Sequence, residues 1–140
     1  MILLDTDHLS VLLEPRHAER PRFLARIEAT DEKPAIPVVS VEEQLRAWLA
    51  QIHRVRDSHG QITPYRRLSK LISFLRNWTI ADWEQTAADT FDRLRESRVR
   101  IGTQDLKIAS IALADDALLL SANLRDFQQV PGLRVEDWVH

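Results

Sequence analysis

The chain opens on MILLDTDHLS, residues 1–10, and the fold turns on how that stretch is read. Ile2, Leu3 and Leu4 follow one another with no polar residue between them. That is the pattern of a strand covered on both faces rather than one with a solvated side. Two carboxylates, Asp5 and Asp7, come next, and HLSVLLE (8–14) continues as a helix ending near Pro15. A buried strand that hands the chain to a helix, with acids at the junction, places those acids where parallel α/β sheets bind ligands, at the carboxyl ends of their strands.

Outward from there the alternation repeats. RPRFLARIEATDEK reads as a helix with Leu24 and Ile27 inward, and PAIPVVS (34–40) as a second strand entered through Pro34 and Pro37. VEEQLRAWLAQIHRV (41–55) has Val41, Leu45, Trp48, Leu49 and Ile52 at helical spacing. DSHGQITP (57–64) is a loop, and YRRLSKLISFLRNW (65–78) a helix with Leu68, Leu71, Ile72 and Leu75 on one side. WTIAD (78–82) is a short strand, WEQTAADTFDRLRESR (83–98) a helix, and TQDLKIASIALADD (103–116) a helix apolar nearly all round, hence buried. ALLLSAN (117–123) and LRVEDW (133–138) supply two more strands. The expectation is a single α/β domain over residues 1–140, a three-layer α/β/α sandwich on a short central parallel sheet.

Composition narrows the chemistry. No Cys occurs, which excludes disulfides, thiolate metal sites and a Cys nucleophile. Neither G-x-x-x-x-G-K nor G-x-G-x-x-G is present. Residues 1–30 lack a signal-peptide pattern and no run approaches the ~20 apolar residues of a membrane span, so a cytoplasmic protein without membrane contact is expected. The net charge of -2 hides a split. Arg46, Arg54, Arg56, Arg66, Arg67, Lys70 and Arg76 face only Asp57 between residues 46 and 76, giving +6 there and -8 elsewhere. Two solvated helix faces account for such a split as well as an acidic site beside a basic surface that handles polyanions.

Four segments deliver acids just after a strand or at a buried helix start: Asp5 and Asp7, Glu43, Asp105, and Asn123 with Asp126. Each has an ordinary structural use. Asp5 can cap the following helix, Ser40 and Glu43 have capping-box spacing, and Thr103 or Asp105 can cap the buried helix. Capping explains them one by one but does not predict that all share one end of a sheet. Clustered carboxylates raise one another's pKa values unless a cation compensates, and all-oxygen donors select a hard ion, Mg²⁺ or Mn²⁺.

In the order and spacing of LLDTDHL (3–9), VVSVEEQLRAWL (38–49), IGTQDLKIASIAL (101–113) and LLLSANLRDFQQVPGLRVEDW (118–138), the chain resembles the PIN-domain ribonucleases, specifically the VapC toxins of type II toxin–antitoxin pairs. The resemblance implies a PIN-like fold and metal-assisted RNA hydrolysis, with Asp5, Glu43, Asp105 and Asp126 as catalytic metal ligands. Thr6 and Ser121 would orient them through hydrogen bonds, Asn123 would position a ligand or a water, and Asp7 would sit at the rim. Arg46, Arg54, Arg56, Arg66, Arg67 and Lys70 would then guide the RNA backbone. An antitoxin partner and a homodimer are implied as well. Two departures stand out. Ala47 replaces the family's glycine four residues after the glutamate, and the pair Glu42–Glu43 offers two candidates for the inward acid, of which helical phase favours Glu43.

Two rival readings remain. LLDTD also matches the D-x-D of haloacid-dehalogenase-type phosphatases, with Asp5 as nucleophile, Asp7 as acid/base and the ADD at 114–116 as metal acids. That motif wants Thr or Val where Leu9 stands, and its metal acids should follow a strand rather than precede one. The other rival is a catalytically silent binding module. His8, His53 and His59 receive no role, and Trp48, Trp78, Trp83 and Trp138 read as core or interface residues.

Overall fold

The computed structural model describes residues 1–140. Five strands, β1 (Ile2–Leu4), β2 (Pro34–Pro37), β3 (Thr79–Ala81), β4 (Leu118–Leu120) and β5 (Arg134–Glu136), form one sheet in the order β3-β2-β1-β4-β5. Every neighbouring pair is parallel. The helices are α1 (Thr6–Leu13), α2 (Arg20–Ala29), α3 (Val38–Arg54), α4 (Ile62–Leu75), α5 (Gln85–Glu96), α6 (Thr103–Ala114) and α7 (Leu124–Phe127). The chain winds from β1 through β2 to β3, then crosses to β4 on the other flank of β1. Connectivity therefore reverses beside β1, and the crevice at the carboxyl ends of β1 and β4 is the topological switch point of the sheet.

The aliphatic run that opens the chain is explained by what covers it. Leu3 belongs to a large apolar cluster with Phe91 and Leu94 of α5 and Leu106, Ile108 and Ile111 of α6. Ile2 and Leu4 face the other way, against Val11 and Leu12 of α1 and Phe23 and Ile27 of α2. Alternate side chains of one strand thus enter two separate cores, so both must be apolar. The expected α/β/α sandwich on a parallel sheet is what forms.

Several local expectations need correction. β2 stops at Pro37 and α3 starts at Val38, so residues 38–40 are helical rather than strand. Two β-branched valines made this segment look extended, but helix formation buries Val39 and brings the Ser40 hydroxyl to the Leu4 carbonyl oxygen at 3.4 Å. Ser40 is consequently no N-cap, and the capping box with Glu43 does not form. Likewise Gly102, not Thr103 or Asp105, is the N-cap of α6. Phe23 takes the buried place on α2 expected of Leu24, which only packs at the margin. On α3 the buried residues are Val39, Ser40, Gln44 and Ile52, while Leu49 is 45% exposed. On α4, which already begins at Ile62, only Pro64 and Leu71 are buried and Ile72 is 53% exposed. α3 packs on α1, α4 and α6 as well as on β2, α4 packs chiefly on α3, and each buries a stripe narrower than its apolar content suggests.

Candidate active site

The carboxyl ends of β1 and β4 and the starts of α1, α6 and α7 meet at one edge. Asp5 is the N-cap of α1 in an extended conformation, and its Oδ1 accepts the Thr6 N–H at 2.7 Å. Its Oδ2 accepts the Ser121 hydroxyl, 2.7 Å away, just past β4. The capping use and the placement at the strand end therefore coexist in one side chain. Asp5 is 5% exposed. Burial, followed by the nearby charges of Asp7 and Asp105, pushes its carboxyl from 3.8 up to about 6.

Glu43 arrives from the second turn of α3, not the first, because that helix begins early. Its Oε1 accepts the Thr6 hydroxyl at 3.1 Å. Burial and then the charges of Asp105 and Glu42 raise its pKa. Glu42 lies outside, accepting from Gln104 at 2.9 Å and Arg46 at 2.6 Å. The Gln104 hydrogen bond, followed by Arg46 and Lys107, holds its carboxyl below the usual range. Of the two acids, Glu43 is the inward one.

Asp105 stands in the first turn of α6 and Asp126 in the first turn of α7. The Asn123 amide joins them, donating to Asp105 Oδ2 at 3.1 Å and Asp126 Oδ2 at 3.0 Å. Burial, then Asp126 and Asp7, raises the Asp105 pKa. Asp7 is drawn to the rim of this group. It accepts the Ala122 N–H at 3.1 Å, lies 3.3 Å from the Ser121 hydroxyl and bonds to the His8 ring.

None of Asp5, Glu43, Asp105 and Asp126 has an ion-pair partner among the protein's cations. No three His, Asp or Glu side chains converge on a single point as a finished ligand set. Neutral donors (Thr6, Ser121 and Asn123) instead hold the four acids in one electrostatic group. The donor chemistry, carboxylate oxygen without thiolate or imidazole and without an ion-pair partner, fits a hard divalent cation.

The other candidates are scattered. Arg46, Arg54, Arg56, Arg66, Arg67 and Lys70 are all exposed. Arg67 and Lys70 line a cavity of about 460 Å³ that Asp7 and Trp48 also border. Arg46 is tied to Glu42, and the other arginines are not drawn to the acids. Asp115 and Asp116 precede β4 and so lie at the opposite edge of the parallel sheet from Asp5, which removes the metal acids of the phosphatase reading. His8, given no role from the sequence, is completely buried and bonded to Asp7. A search for metal-ligand spacing passes over it; its sole sequence signal is a titratable residue among the apolar positions of α1.

No family model matches the sequence. It is 34% identical over 80 residues to a curated "Ribonuclease VapC2" from Haemophilus influenzae, covering 54% of this chain and 61% of that protein. To a "tRNA(fMet)-specific endonuclease VapC" from Salmonella typhimurium it is 31% identical over 81 residues, covering 55% and 61%. The chain thus spans about three fifths of the length of these curated relatives. Among solved structures, a chain of VapBC2 from Rickettsia felis, bound to a DNA fragment from its promoter, superposes with a TM-score of 0.76 at 24% identity over 99% of both chains. VapBC-1 from nontypeable Haemophilus influenzae superposes at 0.75 and 19% identity over 100% of both. This chain has the PIN-like α/β fold of the VapC structures, and its sequence is similar to that of VapC ribonucleases.

Proposed function

We propose that this chain is the toxin of a toxin–antitoxin pair and acts as a metal-dependent endoribonuclease. The observation that carries the reading is the delivery of Asp5, Glu43, Asp105 and Asp126, from four separate segments, to one sheet edge with no protein cation ion-paired to any of them. These four would hold one or two Mg²⁺ or Mn²⁺ ions. When bound, such an ion supplies an acidified water and neutralises charge developing on a phosphate. The protein's part is to place the acids: Ser121 aims Asp5, Thr6 aims Glu43, and Asn123 spaces Asp105 from Asp126. The exposed bases from Arg46 to Lys70 would attract the RNA backbone toward an edge that would otherwise repel it. The similarity to VapC ribonucleases and to chains of VapBC complexes supports RNA as substrate and a small antitoxin as partner.

A homodimer belongs to the same reading. Val38, Val41, Leu45 and Leu49 line a groove along α3 that is apolar and open, and a second copy would cover it. A cytoplasmic location fits an RNA substrate, and no helix is long and apolar enough to cross a membrane. Regulated expression tests the toxin reading. The parent should arrest growth with accumulation of cut RNA, Asp105→Asn should do neither, and co-expression of an antitoxin that binds the chain should relieve the arrest. Equal toxicity of parent and variant would contradict the site.

A further inference from the structure

We propose that His8 is a positioning residue for the carboxylate site, wiring the C-terminal segment to the turn that aims the acids. The inference rests on the ribonuclease reading for its catalytic consequence, but its geometry stands apart from it. The imidazole is fully buried, edge-on to the Phe23 ring at 5.2 Å. Both ring nitrogens are used. The Trp138 N–H donates to Nε2 at 3.1 Å, and Nδ1 meets Asp7 Oδ1. Nε2 must therefore offer a lone pair, which puts the proton of the neutral ring on Nδ1, facing Asp7. Asp137 Oδ1 is 3.4 Å from Nε2 but is already occupied by the N–H groups of Val139 and His140, at 2.9 and 3.0 Å.

What Asp7 does with the rest of its capacity gives His8 its reach. Asp7 accepts the Ala122 N–H at 3.1 Å, and Ala122 sits between the two residues that orient the acids. Ser121 donates to Asp5 on one side, and Asn123 donates to Asp105 and Asp126 on the other. The Asn123 N–H also returns to the Ser121 hydroxyl at 3.0 Å. A continuous path thus runs from Trp138 through His8 and Asp7 to the 121–123 turn and three of the four acids. Without the Nδ1–H, Asp7 keeps the Ala122 N–H but loses the side-chain group that holds its Oδ1 from the protein interior, so its carboxylate is free to turn on the 121–123 turn. Orienting groups of this kind, one step removed from the ligands, typically carry ~10–100-fold in activity.

Two substitutions separate positioning from packing. In His8→Asn the side-chain amide keeps a donor where Nδ1 lies and gives up the bond to Trp138. In His8→Gln the reverse holds, with an oxygen kept near Nε2 and the link to Asp7 lost. The expected result is a kcat for RNA cleavage about tenfold lower in His8→Gln, with KM within about twofold, and near-parental kcat in His8→Asn. Parental kcat in both variants would overturn the proposal, as would equal losses that follow their melting temperatures. Long-range ¹⁵N–¹H spectra supply a readout independent of catalysis. They should show His8 protonated on Nδ1, with the Ala122 amide proton shifted in His8→Gln and unmoved in His8→Asn. An Nε2-protonated ring, or an Ala122 signal indifferent to both changes, would refute the wiring. If the parent cleaves no RNA while the spectra behave as described, the ribonuclease reading fails and the wiring stands.

Discussion

Asp5 bears two demands at once. One oxygen caps α1 and the other takes the Ser121 hydroxyl, in a site that is 5% exposed and crowded by Asp7 and Asp105. Its pKa is raised on folding, from 3.8 to about 6, because burial penalises the charged form in the metal-free fold. The stabilising contribution is fully present below pH 3.8 and is lost as pH rises through about 6. Over that window it amounts to roughly 3 kcal/mol. In chelator, the difference in melting temperature between Asp5→Asn and the parent should therefore widen in favour of the variant from pH 4 to pH 7.5; a constant difference would contradict the raised pKa. Saturating Mg²⁺ at pH 7.5 should raise the melting temperature of the parent more than that of Asp5→Asn. Asp5 was open to both readings in the sequence because capping and ligation ask for the same short acid after a strand. Glu43 was legible as the inward acid from helical phase, although its supposed capping partner Ser40 turned out to be inside the helix. The place of Asp7 at the rim was legible, but its partner was not, nor was any role for His8, because Ala122 and Trp138 are more than a hundred residues away in the chain.

The helices differ in how far sequence pattern reveals their packing. α6, apolar nearly all round, reads correctly as buried because no face is left for solvent. α3 and α4 mislead because each packs largely on other helices and leaves apolar side chains outside. The contrast on α4 is testable by chemical denaturation. Leu71→Ala, at 1% exposure, should cost ~2–5 kcal/mol, whereas Ile72→Ala, at 53%, should stay within ~0.5 kcal/mol. A similar loss at both positions would mean that α4 is rotated from its described face. At the end of α5, Arg98 adopts φ 63°, the left-handed conformation that favours glycine after a helix C-cap. Arg98→Gly should accordingly stabilise the fold by about 1 kcal/mol, and a loss of stability would show that the Arg98 side chain contributes more than the backbone strain costs.

At the scale of the whole molecule, the strand order makes the site. β1 lies in the middle of the sheet and the connection reverses beside it, so acids that are 100 residues apart in the sequence, Asp5 and Asp105, come within electrostatic reach. The parallel α/β class and the sandwich were legible from alternating strand and helix signals, since each element carries its own periodicity. The order β3-β2-β1-β4-β5 was not, because no local pattern records which strands become neighbours. The exposed α3 groove belongs to this scale too. If a second copy covers it, Leu45→Glu with Leu49→Glu should convert a dimer to a monomer in sedimentation without unfolding it, and an unchanged mass would exclude that surface. The central claim is that the four carboxylates act together as one hard-cation site for RNA hydrolysis. Its most direct test is cleavage of RNA by the purified chain in Mg²⁺ and in EDTA, beside Asp5→Asn and Asp105→Asn. The account predicts internal cuts by the parent in Mg²⁺ alone and a loss of at least about a hundredfold in either variant. Cleavage that persists in EDTA, or variants that cut at the parental rate, would contradict it.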